Sequence, residues 1–411
     1  MTNRRQLRYL CAGHFFHHYL IAVLPVAALA IQGAWSLSDG AALALGTPLY
    51  AMLALATLPA GWFGDLWPRR WLMAVCLIGS GLAAVLAGLS AGPLSLMIAL
   101  GLLGACSAIY HPVGLAMVAD YAERSGPAFA RNGVWGNVGM GIAAALTALI
   151  VGVLGWRVAF ILPGLMVIAV GARYAWLNRD APSHSPVTHK EPSRPSGGPR
   201  VVLPALLLFL IAASLYDGLV AGAVTYPLPR IVEQQAFAGQ GLLWIGGSTS
   251  LILVLGSLTQ LASGWCVERV EARLLLALLF CGQIAVLIAV SLSGGPMIVP
   301  LLGLFHGLLY AWFPLTGWLI GHHMPVHLRA RIFSLEYVAS LAMTAAAVPL
   351  VAWLYDKGVA PGQQLWIVIL AAVLVLGCIA ALPGAPSKDR ALDPAKPLSD
   401  RRSDRRARPG P

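Results

Sequence analysis

Long apolar segments, separated by short polar stretches, recur along the whole chain. Each segment is long enough to cross the ~30 Å hydrocarbon core of a bilayer as an α-helix. The pattern predicts twelve membrane spans, at about 8–33, 41–63, 71–90, 94–119, 132–153, 157–177, 202–225, 242–265, 274–293, 297–320, 332–354 and 365–383. The polar stretches reach only about 20–30 residues, too few for an independent soluble domain.

Composition supports an all-α integral membrane protein. Of the 411 residues, 58% are hydrophobic and 10% are charged, and a soluble fold of this length could not bury so much apolar surface. The net charge of +11 comes from loops and from the tail, without a basic face that would bind nucleic acid. Three histidines interrupt the first apolar segment, so we expect it to be a retained helix and not a cleaved signal peptide.

The distribution of Lys and Arg predicts the topology. Of the 27 Lys and Arg residues, all but Arg157, Arg230 and Lys357 fall on one side when the spans alternate in direction. The positive-inside rule makes that side, with both termini, cytoplasmic. We expect a multi-pass protein of the bacterial cytoplasmic (inner) membrane, surrounded by lipid and monomeric.

An internal repeat relates the two halves of the chain. The segment AGWFGDLWPRRWL (60–72) aligns with SGWCVERVEARLL (263–275) at an offset of 203, and GLLGACSAIYHP (101–112) aligns with GLFHGLLYAWFP (303–314) at an offset of 202. Six helices followed by six related helices in the same orientation form a parallel repeat, and such repeats place a substrate site between the halves. The predicted units are a six-helix bundle (1–177), a Pro-, Ser- and Gly-rich cytoplasmic linker (178–201), a second bundle (202–383) and a basic, disordered tail (384–411).

Two motifs in the first half resemble the major facilitator superfamily: residues 61–70, and Gly155-Trp156-Arg157 at the start of the sixth span. Gly61-x-x-x-Asp65-x-x-Pro68-Arg69-Arg70 is similar to its signature between the second and third helices, except that Gly is usual at Pro68. The resemblance implies a transporter with the major facilitator fold.

Within that superfamily, GACSAIYHPVGLAMVA (104–119) resembles the fosmidomycin-resistance branch. In this branch a first-helix histidine is often followed by an acidic residue four positions later, whereas this chain has His14 and His18. The branch implies efflux of a small organic molecule by antiport with protons.

The charged motif has a counterpart in the second half, and we interpret the two as a cytoplasmic gate. A carboxylate beside arginines and a close helix contact could hold that side closed in one conformation; simple topology anchoring is the alternative. The predicted gate residues are Gly61, Asp65, Arg69, Arg70, Gly264, Glu268 and Arg273.

Ionisable residues inside the spans are the candidates for substrate binding or proton coupling. Asp217 is the strongest, because an intramembrane acid is rarely tolerated without a function. Histidine titrates near neutral pH, although a membrane histidine can also serve only as a helix–helix hydrogen bond. The candidates are Asp217, His111, His14, His18 and Glu336, with Tyr110 and Trp312 as aromatic walls.

Prolines within the spans predict bends. Pro112 aligns with Pro314 in the repeat, so both are expected to bend their helices at related places and to expose the aromatic residues beside them. Plain packing is the alternative for those aromatic residues.

Two other classes of function are weighed against transport. His14-x-x-His17-His18 has the spacing of a membrane di-iron histidine box, and His322-His323 is another pair, but no complete second box follows. A receptor would lack a soluble output domain. We therefore expect a non-enzymatic transporter without cofactor or metal, carrying a small molecule and protons; uptake by proton symport remains the alternative to efflux.

Overall fold

The computed structural model describes residues 2–122, 125–179, 203–267, 269–324 and 326–382. The predicted linker, apart from its first two residues, and the predicted tail lie outside these residues, so the predicted unit boundaries stay predictions. The helices before residue 180 are α1 (Asn3–Ile21), α2 (Val23–Trp35), α3 (Asp39–Ala44), α4 (Thr47–Leu66), α5 (Arg69–Gly88), α6 (Pro93–Ser107), α7 (Leu115–Tyr121), α8 (Ser125–Leu154) and α9 (Trp156–Asn178). Those after residue 202 are α10 (Leu203–Val220), α11 (Leu228–Gln235), α12 (Leu242–Cys266), α13 (Ala272–Leu292), α14 (Ile298–Tyr310), α15 (Phe313–His323), α16 (Val326–Asp356) and α17 (Pro361–Ala380).

Twelve stretches of these helices are long and apolar enough to cross a membrane, as the sequence predicts. Spans 1, 2, 4 and 10 each combine two helices: α1 with α2, α3 with α4, α6 with α7, and α14 with α15. The remaining spans, in order, are formed by α5, α8, α9, α10, α12, α13, α16 and α17. Odd spans start on the side of Asn3 and even spans return to it; we call this the terminal side and the opposite one the far side.

The helix interruptions follow the repeat. Span 4 is interrupted by a π-helical turn at Tyr110–Gly114, and span 7 by a second π-helical turn at Ala221–Thr225 that follows α10. Span 1 breaks at Ala22, and span 10 breaks at residues 311–312. Interruptions thus recur in spans 1, 4, 7 and 10, every third span of the chain; the one in span 7 lies at the far end of the span. Span 2 is also broken, between α3 and α4. A π-helical turn leaves backbone groups without their helical hydrogen bonds and changes the direction of the side chains. Membrane proteins tolerate such a turn where it lines a cavity.

The two six-helix bundles meet in a way that the parallel repeat requires. In the described residues, α4 packs against α16 and α8 packs against α12, so spans 2 and 11 form one contact and spans 5 and 8 the other. The repeat relates span 2 to span 8 and span 5 to span 11. The contact between spans 2 and 11 therefore corresponds to the contact between spans 8 and 5. The fold is therefore two related bundles around a two-fold axis along the membrane normal.

Glycine permits the closest helix contact within the second half. A Cβ on Gly218 of α10 would strike the backbone carbonyl of Ser340 in α16. This contact holds the neighbouring Asp217 close to α16.

Candidate functional site

A cavity of about 570 Å³ lies between the two bundles. Residues of both halves line it, in agreement with a site shared between repeats. It extends toward the terminal side as far as Gly133 and Phe333, close to the ends of spans 5 and 11. At its far end lie Tyr50 and Tyr226, whose rings meet edge to face at 5.4 Å.

Three of the predicted site residues lie in the second-half wall of this cavity: Asp217, Trp312 and Glu336. The hydroxyl of Ser340 donates to Oδ2 of Asp217 at 2.8 Å, which joins spans 7 and 11. Trp312 is 3% exposed, and its indole N–H has no hydrogen-bond partner in the described part of the chain. A buried donor left unpaired beside a cavity can bind a polar group of a ligand at little desolvation cost.

The first-half wall carries a cluster of histidines. His14, His17, His18 and His111 all line the cavity. His14 and His18 lie one turn apart on α1, and their Nε2 atoms are 3.1 Å apart. His111 reaches them from the π-helical turn of span 4, with ring centroids 5.3 Å from His14 and 5.7 Å from His18. His111 also meets Tyr337 of the second half at 4.5 Å between centroids.

Tyr110 lies behind this cluster and not in the cavity wall. It is fully buried, its ring stacks on His14 at 4.8 Å, and its hydroxyl donates to the carbonyl of Leu10 at 2.6 Å. Asn132 in turn donates to the Tyr110 hydroxyl at 2.9 Å. Tyr110 therefore positions the histidine cluster and does not line the cavity, in contrast to the prediction from the sequence that it forms an aromatic wall of the site.

The predicted bends occur at Pro112, within the π-helical turn, and at Pro314, in the first turn of α15.

The predicted cytoplasmic gate lies on the terminal side. Arg69 donates to Asp120 at 2.7 Å and lies 3.7 Å from Asp65, whose side chain is 77% exposed. All three belong to the first half.

The second copy of the motif is also held within its own half. Arg273 donates to the carbonyl of Ala380, at the end of span 12, at 2.9 Å. A Cβ on Gly264 would meet nothing within 4 Å, and one on Gly61 would meet only Pro112 at an ordinary 3.6 Å. Neither glycine therefore provides the close helix contact that the motif predicts. Glu268 lies outside the described residues, and nothing in the described contacts of Arg69 or Arg273 joins the two bundles.

A polar network on the far side does join them, and it was not predicted from the sequence. Arg230, in the short amphipathic helix α11 of the second half, is 6% exposed. It bonds Gln32 of the first half, lies 3.5 Å from Asp39 of the first half, and pairs with Glu233 at 2.6 Å. Two more bonds cross between the halves: Gln234 to Asp39 at 2.6 Å, and the Gly40 N–H to Asp356 at 3.1 Å.

We call this network, together with the bond from the Tyr226 hydroxyl to the Leu43 carbonyl at 2.7 Å, the far-side seal. From the sequence, Arg230 is predicted only to be one of the three basic residues in the outer loops. The available signal was the segment YPLPRIVEQQ (226–235), which alternates apolar and polar residues with helical periodicity.

Twelve spans in two related halves, with a shared cavity sealed at one end, are the architecture of a membrane transporter. A family model described as Major Facilitator Superfamily matches residues 10–340. The chain belongs to this superfamily: it is a membrane transporter for small molecules, as the motif at residues 61–70 predicts, and not an enzyme.

Two solved structures have a similar fold. Both are of a bacterial homolog to the human lysosomal transporter Spinster. The inward-facing, occupied form is 16% identical, with a TM-score of 0.74, over 92% of this chain and 96% of that chain. The inward-facing, unoccupied form is 15% identical, with a TM-score of 0.76, over 92% and 97%. No curated protein sequence matches this chain.

Proposed function

We propose that this transporter exports a small organic molecule from the bacterial cytoplasm in exchange for protons. In this proposal the terminal side is cytoplasmic, which the excess of Lys and Arg on that side supports. The cavity reaches toward the terminal side while the far-side seal is closed, so the conformation corresponds to an inward-facing state. The similarity of residues 104–119 to the fosmidomycin-resistance branch favours export.

The observation that carries the proposal is Asp217 in the cavity wall. Its hydrogen-bond partner is the neutral hydroxyl of Ser340. In the part of the chain that the structure describes, no ion pair joins Asp217 to a basic residue, and Glu336 and Tyr310 line the same cavity. An acid without a cationic partner can take up and release a proton as the cavity changes sides.

The proposed cycle uses this acid as the exchange point. In the inward-facing state substrate enters from the cytoplasm, and Asp217 releases its proton there. The far-side seal then opens as the terminal side closes, and a proton from outside binds Asp217 as the substrate leaves. Since the same site serves substrate and proton in turn, the proton gradient drives export.

The terminal-side charges act in the other half of this cycle. We assign Asp65, Arg69 and Arg70, with Glu268 and Arg273, to the gate that closes when the cavity faces outward. In this view the bond of Arg69 to Asp120 is its resting contact in the inward-facing state. Asp65→Asn should then reduce transport at least tenfold while expression and membrane insertion stay unchanged. Transport at the normal rate in Asp65→Asn would leave topology anchoring as the function of these charges.

Proton-coupled uptake uses the same residues with the opposite preference, because direction depends on which protonation state of the site favours substrate. A screen of compounds in inverted vesicles, with and without an imposed pH gradient, separates the two. Export by antiport predicts accumulation inside inverted vesicles that are acidic inside, and loss of that accumulation when the gradient is collapsed. Accumulation that requires the reverse gradient would support symport and contradict export.

Variants of Asp217 test the coupling itself. Asp217→Asn should abolish gradient-driven accumulation but keep exchange of labelled for unlabelled substrate, since exchange needs no net proton movement. Asp217→Glu, which retains a carboxylate, should recover part of the accumulation. An unchanged pH dependence in Asp217→Asn would refute the role of this residue.

A further inference from the structure

Three histidines of the first-half wall have the geometry of a metal site. One nitrogen from each of His14, His18 and His111 can be chosen so that all three lie within 4.8 Å of one another. Two ligands at about 2.1 Å from one metal ion are at most about 4.2 Å apart, and about 3.4 Å apart in a tetrahedral site. Rotation of the half-buried His18 and His111 rings, by about 1 Å at the nitrogens, would therefore suffice to bring the three onto one ion.

The hydrogen bonding of His14 leaves it ready to coordinate. Its Nδ1 donates to the backbone carbonyl of Asn132 at 2.8 Å, so in the neutral ring Nε2 carries the lone pair. That lone pair faces Nε2 of His18 at 3.1 Å, so a metal ion bound by both nitrogens would replace the hydrogen bond between them. A bond from the second ring nitrogen to a backbone carbonyl is the usual way in which proteins orient a metal-binding histidine. Tyr110 stacks on the same ring and bonds Asn132, so the orientation is fixed on two sides.

Two buried histidine nitrogens without hydrogen-bond partners in the described residues, one in the cluster and one beside it, also favour a metal site. Nδ1 of His18 and Nδ1 of His17 are both buried and have no hydrogen-bond partner in the part of the chain that the structure describes. His17 is 5% exposed and lies 4.9 Å from His111 between ring centroids. A purely structural role would satisfy these nitrogens, because an unpaired buried polar atom costs ~1–3 kcal/mol.

We propose that His14, His18 and His111 bind a divalent transition-metal ion of borderline softness, such as Zn²⁺, Co²⁺ or Ni²⁺. Imidazole nitrogen suits these ions, whereas Mg²⁺ and Ca²⁺ prefer oxygen ligands. Three protein ligands leave at least one coordination position open toward the cavity. The cavity of about 570 Å³ is far larger than an ion, so an organic ligand can occupy that open position.

The carboxylates on the opposite wall complete the chemistry of this site. Asp217 and Glu336, in the second-half wall of the same cavity, can offset the charge of a divalent ion when they are ionised, while the histidines are neutral ligands. The metal site rests on the histidine geometry and not on the proposed direction or coupling of transport. The substrate class that it implies is a metal ion carried by, or bridged to, a small organic chelator.

Metal binding to the purified full chain tests this proposal without any transport measurement. The chain is prepared without a polyhistidine tag and titrated with Co²⁺, whose visible absorption reports coordination, and with Zn²⁺ by calorimetry. We expect one high-affinity site, with nitrogen ligands at about 2.0–2.1 Å from Zn²⁺ by X-ray absorption. His18→Asn and His111→Asn should each weaken binding at least tenfold.

The matched control is His323→Asn, because His323 is exposed and its Nδ1 bonds only the Leu319 carbonyl of its own helix. It should leave affinity and stoichiometry unchanged. His14→Asn is measured as well, but thermal unfolding must show that it still folds, since His14 is packed between Tyr110 and Gly136. Unchanged binding in both His18→Asn and His111→Asn, loss of binding in His323→Asn, or no binding by the unmodified chain would each overturn the proposal. None of these results decides the proton coupling, which the Asp217 variants test separately.

Discussion

At the scale of single residues, two adjacent candidates of one motif, Tyr110 and His111, differ in whether they line the cavity. Tyr110 and His111 are neighbours in the sequence, yet Tyr110 is fully buried behind His14 while His111 lines the cavity and meets Tyr337 of the other half. The sequence identifies both as unusual in an apolar helix. It does not show which one faces the cavity, because the π-helical turn at Tyr110–Gly114 changes the periodicity on which such an assignment depends.

The buried hydroxyl of Tyr110 should contribute to stability. Tyr110→Phe removes its bond to the Leu10 carbonyl and leaves the Asn132 amide without this acceptor. We expect a loss of about 1–3 kcal/mol, measured as a lower unfolding temperature in detergent. Tyr355→Phe is the matched control: the Tyr355 hydroxyl is also buried but has no hydrogen-bond partner in the described residues, so its removal should cost nothing. Equal losses in the two variants would contradict this assignment.

At the scale of helices, four prolines lie beside an interruption of a span. Pro112 lies within its π-helical turn and Pro314 just after its break, while Pro25 and Pro227 follow breaks by a few residues. Pro349, by contrast, lies inside the continuous α16. A proline removes a backbone donor, but whether the helix stops or only bends depends on the neighbouring helices, which a single sequence does not reveal.

The contact between α10 and α16 gives a test at this scale. Gly218→Ala places a methyl group against the Ser340 carbonyl, so the two helices must separate at the point where Asp217 is held. We expect about 1–3 kcal/mol of destabilisation by thermal unfolding, with weakened transport. Gly247→Ala, in α12 with no atom within 4 Å of the new Cβ, should be neutral. If Gly218→Ala unfolds at the same temperature as Gly247→Ala, the close contact is not required.

At the scale of the whole molecule, the apolar periodicity and the repeat were sufficient for the fold. Twelve spans and two related halves follow from patterns that extend over the whole chain, and the structure and the family match confirm them. The far-side seal could not be predicted in the same way. Arg230 lies 198 residues from Gln32 in the sequence, and only the packing of the two halves brings it to Gln32 and Asp39.

The seal predicts how the balance between conformations responds to one substitution. Arg230→Ala removes the bond to Gln32 and the ion pairs with Asp39 and Glu233, all on the far side. The conformation with the far-side seal closed then loses stability relative to the conformation with the seal open, so the population should shift toward the latter. Arg157→Ala is the control, because Arg157 is also on the far side but bonds the Ser90 carbonyl within its own half.

Distances between spin labels test the central claim, that the two bundles open the cavity to one side at a time. Labels at Ala34 and Ala238 report the far side, and labels at Leu66 and Val270 report the terminal side, in a background without native cysteines. In Arg230→Ala the far-side distance should lengthen as the terminal-side distance shortens, and Arg157→Ala should leave both unchanged. If both distances stay the same in Arg230→Ala, or both lengthen together, the two bundles do not alternate about the cavity in the way described.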